Sequence, residues 1–517
     1  MSIHFLNLPS EILVLILCSL DLPSLVACIA TNRRVKSLIE GSALLQYRLA
    51  AQATCVEDNP FANTNMTSAD RLFALQKRQT AFAELRPSSI RTIHMVDCPI
   101  STSALDIYSC SGGIFAMTES TNQSLRWISL ACVGQQAPVW EHLELDEYIL
   151  EFTLAVPAAD LLVVLTSTAP LVNPIPSNAF LKLRFYELST GRTHREAQEP
   201  VIILPLFMIA RPDFEVDICG PRVSVVMEYL EDNVEQPNRL LIYDWKKGQL
   251  QMDLADDYAA ALFLSTDIIL AVRKTGVFDL WAIPDVPEGI TGPEISLYLP
   301  QLPENHEYFM ARVEYNPKGS HPTASHQPFH SSLVDSLVLL NILRVSEPPS
   351  DSQNMFLIIP RRALLQQLPS AENRGEERMW ADWGPSITRW LSADIFTEEW
   401  PATTCGQRCA FIMQDRSLLL LDFNPYTWKK TLLEQGKQID RSAIPVMGRL
   451  GLGPSELYGV DELEFFGEQA RSQLGFVGKK TGVTTWDGAV MDEEWIVGIK
   501  DTREWDGKFS LEVWHLG

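Results

Sequence analysis

The hydrophobic period of this 517-residue chain changes once, near Ser88, and a single small domain cannot satisfy both patterns. Over residues 1–85 apolar residues recur every three or four positions and Gly and Pro fall mostly at segment ends, which predicts short helices. From Ser88 onward, short runs of Val, Ile, Leu, Phe and Tyr alternate with clusters of Gly, Pro, Asn and Asp, which predicts many short strands. The clearest are Leu181–Leu188, Arg222–Tyr229, Arg239–Trp245, Ile268–Val272, Ser336–Leu343, Arg408–Met413, Ser417–Phe423 and Phe509–Trp514. The expected class is α+β multidomain: helices first, then a large all-β domain.

Two of these strands run into Leu188-Ser-Thr-Gly191 and Trp245-Lys-Lys-Gly248, where Gly can supply the positive φ of a tight reversal. A strand ending in an aromatic or acidic residue, a Gly turn, then a further strand such as Ala261–Ala271 resembles the blade rhythm of a β-propeller. At roughly 40 to 60 residues per blade, residues 88–517 make seven or eight blades with long insertions. A large β-sandwich assembly is the alternative. Insertions are expected at Pro170–Asn178, Glu231–Asn238, Pro317–Ser331, Glu347–Gln353 and Pro369–Glu377, where Pro, Ser, Asn and charge concentrate.

Forty-two Lys and Arg against 65 Asp and Glu leave a formal charge of −23, which repels phosphate backbones and anionic lipid and argues against nucleic acid or membrane as partner. The nine cysteines are odd in number and follow no framework spacing, which suits a reducing compartment. The apolar run Ile12–Leu20 lacks a basic segment before it, because Glu11 precedes it and the first Lys or Arg is Arg33. It is also shorter than the roughly 18 to 20 residues a membrane span needs. A cytoplasmic and/or nuclear location is expected.

Pro9 suits the first position of a helix over Pro9–Leu20, with Glu11 complementing its positive end. Ile12, Leu13, Val14, Leu15, Ile16, Leu17 and Leu20 surround that helix almost completely, so part of its surface needs a second partner. A second helix, Pro23–Ala30, carries Leu25, Val26 and Ile29. A third carries Val35, Leu38 and Ile39 before Gly41, a good left-handed helix end. Two more are expected over Ser42–Ala53 and Asp70–Leu85, the latter capped by Asp70.

The phrase Leu8-Pro9-Ser10-Glu11-Ile12-Leu13, followed by Ile16, Leu20, Leu25, Ile29, Val35, Leu38 and Ile39, closely resembles the F-box. Thr31-Asn-Arg-Arg-Val-Lys36 stands where many members carry a Cys and aromatic-containing phrase. The resemblance implies an F-box over residues 1–50, a helical linker over 51–87 and a propeller-like recognition domain over 88–517. It implies a substrate-recognition adaptor: those positions from Leu8 to Ile39, Ser10 excepted, would bind a Skp-family adaptor and through it a cullin ligase core, and the β domain would hold a protein substrate for ubiquitin transfer. The layout is also similar to F-box proteins of mushroom-forming fungi, through Gly112-Gly-Ile-Phe115, Arg361-Arg-Ala-Leu-Leu365 and Trp383-Gly-Pro-Ser-Ile-Thr-Arg-Trp390.

No residue set asks for catalysis, a metal or a cofactor. His321, His326 and His330 share one Pro- and Ser-rich stretch without a nearby Cys, and Cys405-Gly-Gln-Arg-Cys409 lacks two further zinc ligands. Asp492, Glu493 and Glu494, like Asp501 and Glu504, would suit a propeller glycosidase only if their environment singled them out. Phosphate-cradling, nucleophile-elbow and zinc-helix motifs are missing. Most of the thirteen Trp are expected in the core, among them Trp127, Trp140, Trp245, Trp281, Trp390, Trp486, Trp495 and Trp514. A non-enzymatic adaptor is the leading expectation; a ligase-independent propeller scaffold and a propeller hydrolase are the alternatives.

Overall fold

The structure, a computed structural model, describes residues 5–59, 62, 65–95, 107–119, 122–132, 139–171, 175–176, 179–204, 210–229, 236–285, 292–304, 306–312, 315–316, 318, 327–346, 353–397, 403–434, 446–447, 466, 472–502 and 508–517. Five helices open the chain: α1 (Ser10–Cys18), α2 (Leu22–Thr31), α3 (Arg33–Gly41), α4 (Ala43–Ala53) and α5 (Ser68–Glu84). None of the helices among the described residues is long and apolar enough to cross a membrane.

Single residues separate α2 from α3 and α3 from α4 because each both ends one helix and begins the next. Asn32 is extended, and its Oδ1 accepts from the backbone N–H of Arg34 (2.8 Å) and Val35 (3.3 Å). Ser42 does the same for Leu45, so Gly41 stays helical instead of adopting the left-handed end expected of it. Pro9 likewise lies just outside α1: its ψ of 148° is extended and its carbonyl accepts from Leu13. At α5 the cap is Thr67. Asp70 is the third residue inside, returning a hydrogen bond to the Thr67 backbone, so both orphan N–H groups are satisfied.

Seven blades follow, all within the expected range of count. Their first strands are Tyr108–Ser111, Tyr148–Ala155, Asp213–Cys219, Tyr258–Phe263, His306–Arg312, Thr403–Cys405 and Gly488–Met491 for blades 1 to 7. First strands of neighbouring blades touch one another around the ring, except that Tyr315–Asn316 intervenes between blades 5 and 6 by pairing with Thr404 and Cys405. Blade 7 borrows its fourth strand: Ser89–Met95, before blade 1, pairs antiparallel with the C-terminal strand Lys508–His515, from Ser89 opposite His515 to Met95 opposite Phe509. That pairing closes the ring without leaving blade 7 a strand short.

Alternate residues of a strand face opposite neighbours, which explains why the strands read as nearly continuous apolar runs. In Leu161–Ser167 of blade 2, Leu161, Val163 and Leu165 pack towards blade 3, while Leu162 and Val164 pack towards blade 1. Gly191 and Gly248 take φ of 63° and 70° in the turns expected of them. The segment Ala261–Ala271, expected as one strand, is a hairpin of Tyr258–Phe263 and Ile268–Arg273. Ser265 Oγ accepts from the backbone of Asp267 and Ile268 and bends the chain there.

Antiparallel blades put the turns after first and third strands on one face of the disc, and the turns after second strands and the inter-blade crossings on the other. The strand ends that bracket the expected insertions at 170–178, 231–238 and 347–353 therefore share one face. Those bracketing 317–331 and 369–377 lie on the opposite face, where the N-terminal helices attach.

Candidate functional site

Residues 51–87, expected as a linker, form a joint docked on the propeller. Val56–Asp58 pairs antiparallel with Phe329–Ser331, and Tyr47, Ala51, Val56, Leu75 and Phe329 form one small core. Further along α5, Phe82 and the cap residue Leu85 pack among Cys405, Ile412, Trp486 and Ile496, between blades 6 and 7. Arg78 Nη1 donates to Glu493 Oε2 (3.0 Å), and Ser331 donates to the same carboxylate through its N–H (2.7 Å) and its hydroxyl (2.9 Å). Asn424 Nδ2 donates to the carbonyl of Ala53 (2.9 Å), adding blade 6 to the contact.

Above this joint, α1 to α4 enclose Leu17, Leu25, Val35, Ile39 and Leu45, with Leu20, Ile29 and Leu38 half-buried against them. Of the positions expected to bind an adaptor, Leu13, Leu25, Val35 and Ile39 are buried and support the surface from within. Pro9, Glu11, Ile12 and Ile16 are exposed and Leu8 is half-buried. Ile12 (43% exposed), Leu15 (65%) and Ile16 (38%) stand three and four residues apart, one helical face, while Leu13 and Leu17 point inward. Val26 (52%) on α2 and Leu44 at the start of α4 are also exposed. Leu15, Val26 and Leu44 fall outside the expected set, although the spacing from Ile12 carried the signal for Leu15. Ser10, Glu11, Arg34 and Ser37 line a groove between α1 and α3, a polar border to this apolar row.

The residues considered for chemistry lie apart. His321 and His326 lie outside the described residues. His330 is buried beside the Ser331 carbonyl, its Nδ1 3.0 Å away. Among the described residues no group of His, Cys, Asp and Glu could hold a metal ion. Cys405 and Cys409 are buried on adjacent strands, and burial pushes both thiols well above their ordinary range. Asp492 accepts from the N–H of Gly113 and of Glu493, yet burial outweighs those bonds and pushes its carboxyl up to about 6. Asp501 has no described side chain, and Glu504 lies outside the described residues.

Gly112-Gly-Ile-Phe115 and the segment from Trp383 to Trp390, singled out in the sequence, have structural places. Gly112 and Gly113 have φ of 61° and 75°, and a Cβ on Gly112 would stand 2.7 Å from Pro157. Trp383 packs edge-on and Trp390 tilted against Trp380 in the core next to blade 4. Trp127, Trp245, Trp281 and Trp486 are buried, while Trp140, Trp495 and Trp514 are half-buried against the inter-blade cores.

The F-box domain family matches residues 5–47. No curated protein matches the chain. Among solved structures it is similar to the Neurospora crassa Pan2 WD40 domain, at 9% identity over 79% of this chain and 88% of that one, with a TM-score of 0.30. It is also similar to the Myceliophteria thermophila Cps50 (Swd1) β-propeller domain, at 7% identity over 81% of this chain and 99% of that one, with a TM-score of 0.31. The N-terminal match and the seven blades behind it give this chain an F-box domain followed by a C-terminal β-propeller, the layout of an F-box protein.

Proposed function

We propose that this protein is the substrate-recognition adaptor of a Skp-cullin-F-box type ubiquitin ligase. The observation that carries the reading is the row Ile12, Leu15 and Ile16: it is exposed on a helix whose inward row is already buried, within a domain of the F-box family. An apolar row of this kind on so small a helical unit suits a protein interface. A Skp-family adaptor would cover it, with Pro9, Val26 and the polar groove at its border.

The opposite face of the disc, bracketed by the insertions at 170–178, 231–238 and 347–353, is the surface offered to a protein substrate. Docking of α5 and Val56–Asp58 holds the two ends at a set distance, so the chain acts by raising the effective concentration of substrate beside the ligase. In this reading ubiquitin transfer belongs to the partners, the chain supplies no catalytic group, and it works in the cytoplasm or nucleus.

The test is co-purification of the full chain with a Skp-family adaptor, native and as Ile16→Asp, with circular dichroism confirming that the variant is folded. Native binding lost in the variant is the expected result. Failure of the native chain to bind, or equal binding by both, sinks the ligase reading and favours an independent scaffold.

A further inference from the structure

Charge is shared unevenly between the two parts of the chain. Residues 1–50 carry four Lys and Arg against three Asp and Glu, while residues 51–517 carry 38 against 62. The F-box is thus close to neutral on a strongly acidic chain. Three of its four cations, Arg33, Arg34 and Lys36, fall within the first four residues of α3, and all three are exposed.

These cations do not serve the fold. Positive side chains at the start of a helix oppose its dipole, and no acid stands in the first turn of α3 to offset them. The helix start is held by the Asn32 side chain, which bonds backbone N–H groups whatever charge follows it. Lys36 lies 3.7 Å from Glu40, one turn on. Among the described residues neither Arg33 nor Arg34 has an ion-pair partner.

Arg34 also lines the groove between α1 and α3, together with Ser37 and Leu38 of its own helix and Val14 and Leu15 of α1. Leu15 belongs to the exposed apolar row, so the cations and the row border one continuous surface. The groove encloses about 930 Å³, which suits several side chains of a partner rather than a single ion. Glu11 stands on the α1 wall, so an acidic group is admitted on the α3 side alone.

We propose that this groove docks an acidic segment of the Skp-family adaptor, with Arg33 and Arg34 steering and holding its carboxylates. The inference rests on the adaptor reading above and adds to it the chemistry of the partner's contacting segment. An acidic partner is repelled by most of this chain. Charges more than a Debye length away, ~8 Å at physiological salt, are largely screened, so the local cations decide where such a partner lands.

The test is the association rate of the full chain with a Skp-family adaptor at about 0.1 and about 0.5 M sodium chloride. Native protein is compared with Arg33→Glu/Arg34→Glu, with the milder Arg33→Gln/Arg34→Gln, and with Arg192→Glu/Arg195→Glu. The last pair alters exposed cations of blade 2 and changes the net charge as much as the first. Circular dichroism checks that each variant is folded. At the lower salt the rate is expected to fall roughly tenfold in Arg33→Glu/Arg34→Glu, less in the Gln variant, and to stay within about twofold of native in the blade 2 control. The differences should narrow at the higher salt. Equal rates for native protein and both α3 variants, or an equal fall in the control, overturn this proposal and leave the adaptor reading standing. No association by the native chain at either salt removes both. Retention of a short RNA by the native chain, lost in Arg33→Glu/Arg34→Glu, would assign the patch to nucleic acid and overturn the proposal.

Discussion

Arg78 on α5 and Glu493 on blade 7 form an ion pair of 3.0 Å in which the two side chains are only 2% and 6% exposed. Glu493 also takes both hydrogen bonds from Ser331, so one carboxylate ties together the helix leaving the F-box, the blade 5 connection and the turn of blade 7. Removing one partner of such a pair strands the other charge in the interior. Arg78→Met is expected to cost about 3–5 kcal/mol of stability, read from urea unfolding. Adding Glu493→Gln should recover part of that loss, and amide exchange in α5 should be faster in the single variant than in the double. An unchanged midpoint for Arg78→Met would contradict the role given to this pair.

Asp492 gives the same turn a pH dependence. Its carboxyl is raised by burial, from the usual value near 3.8 to about 6, despite the bonds from Gly113 and Glu493. A raised folded-state pKa means the folded chain binds the proton more tightly than the unfolded one. The contribution is fully present below pH 4, is lost as pH climbs to about 6, and is flat above that. The loss is on the order of 3 kcal/mol. Stability of Asp492→Asn, measured across pH 4 to 7, should lack this downward slope relative to the native chain; parallel curves would argue that Asp492 titrates normally.

Two glycines in helices should respond in opposite directions to alanine. A Cβ on Gly384 would stand 2.2 Å from Cε3 of Trp380, which is packed against Trp383 and Trp390, whereas a Cβ on Gly41 meets nothing within 4 Å. Gly384→Ala is expected to lose about 1–3 kcal/mol through overpacking. Gly41→Ala should gain up to about 1 kcal/mol, since the helical conformation there suits alanine better than glycine. Calorimetry on both variants tests the pair.

The F-box offers a separation of support from surface. Ile39, fully buried between α2 and α4, should cost about 2–5 kcal/mol as Ile39→Ala. Leu15→Ala, on a side chain largely in water, should stay within about 0.5 kcal/mol of native stability and yet weaken adaptor binding. Unfolding curves and a binding titration on the same two proteins check both halves; a stability loss in Leu15→Ala would place that residue in the core.

Helix and strand types were legible because each depends on side-chain spacing within one short segment. The Leu8 to Leu13 phrase marked the F-box, and the turns ending in Gly191 and Gly248 were recognisable because their conformation needs glycine. Local capping was less legible: Thr67 and Asp70 are both good caps in isolation, and only the helix start decides which one takes the outer position. Ala261–Ala271 misled because both strands of the hairpin are buried, so polar Ser265, Thr266 and Asp267 were the sole sign of a bend.

By itself the sequence determined the order of the chain, a helical F-box and then a many-bladed β domain, because periodicity and turn chemistry act between residues a few positions apart. Tertiary structure decided which residues of that F-box are surface and which are support, since α1 is apolar all round and only its packing on α2 to α4 buries Leu13 and Leu17 while leaving Ile12 and Leu15 in water. It also decided the blade number, the closure of blade 7 by Ser89–Met95, and the pairing of Arg78 with Glu493. Those contacts join residues hundreds of positions apart, and they exist only once seven wedges have closed into a ring.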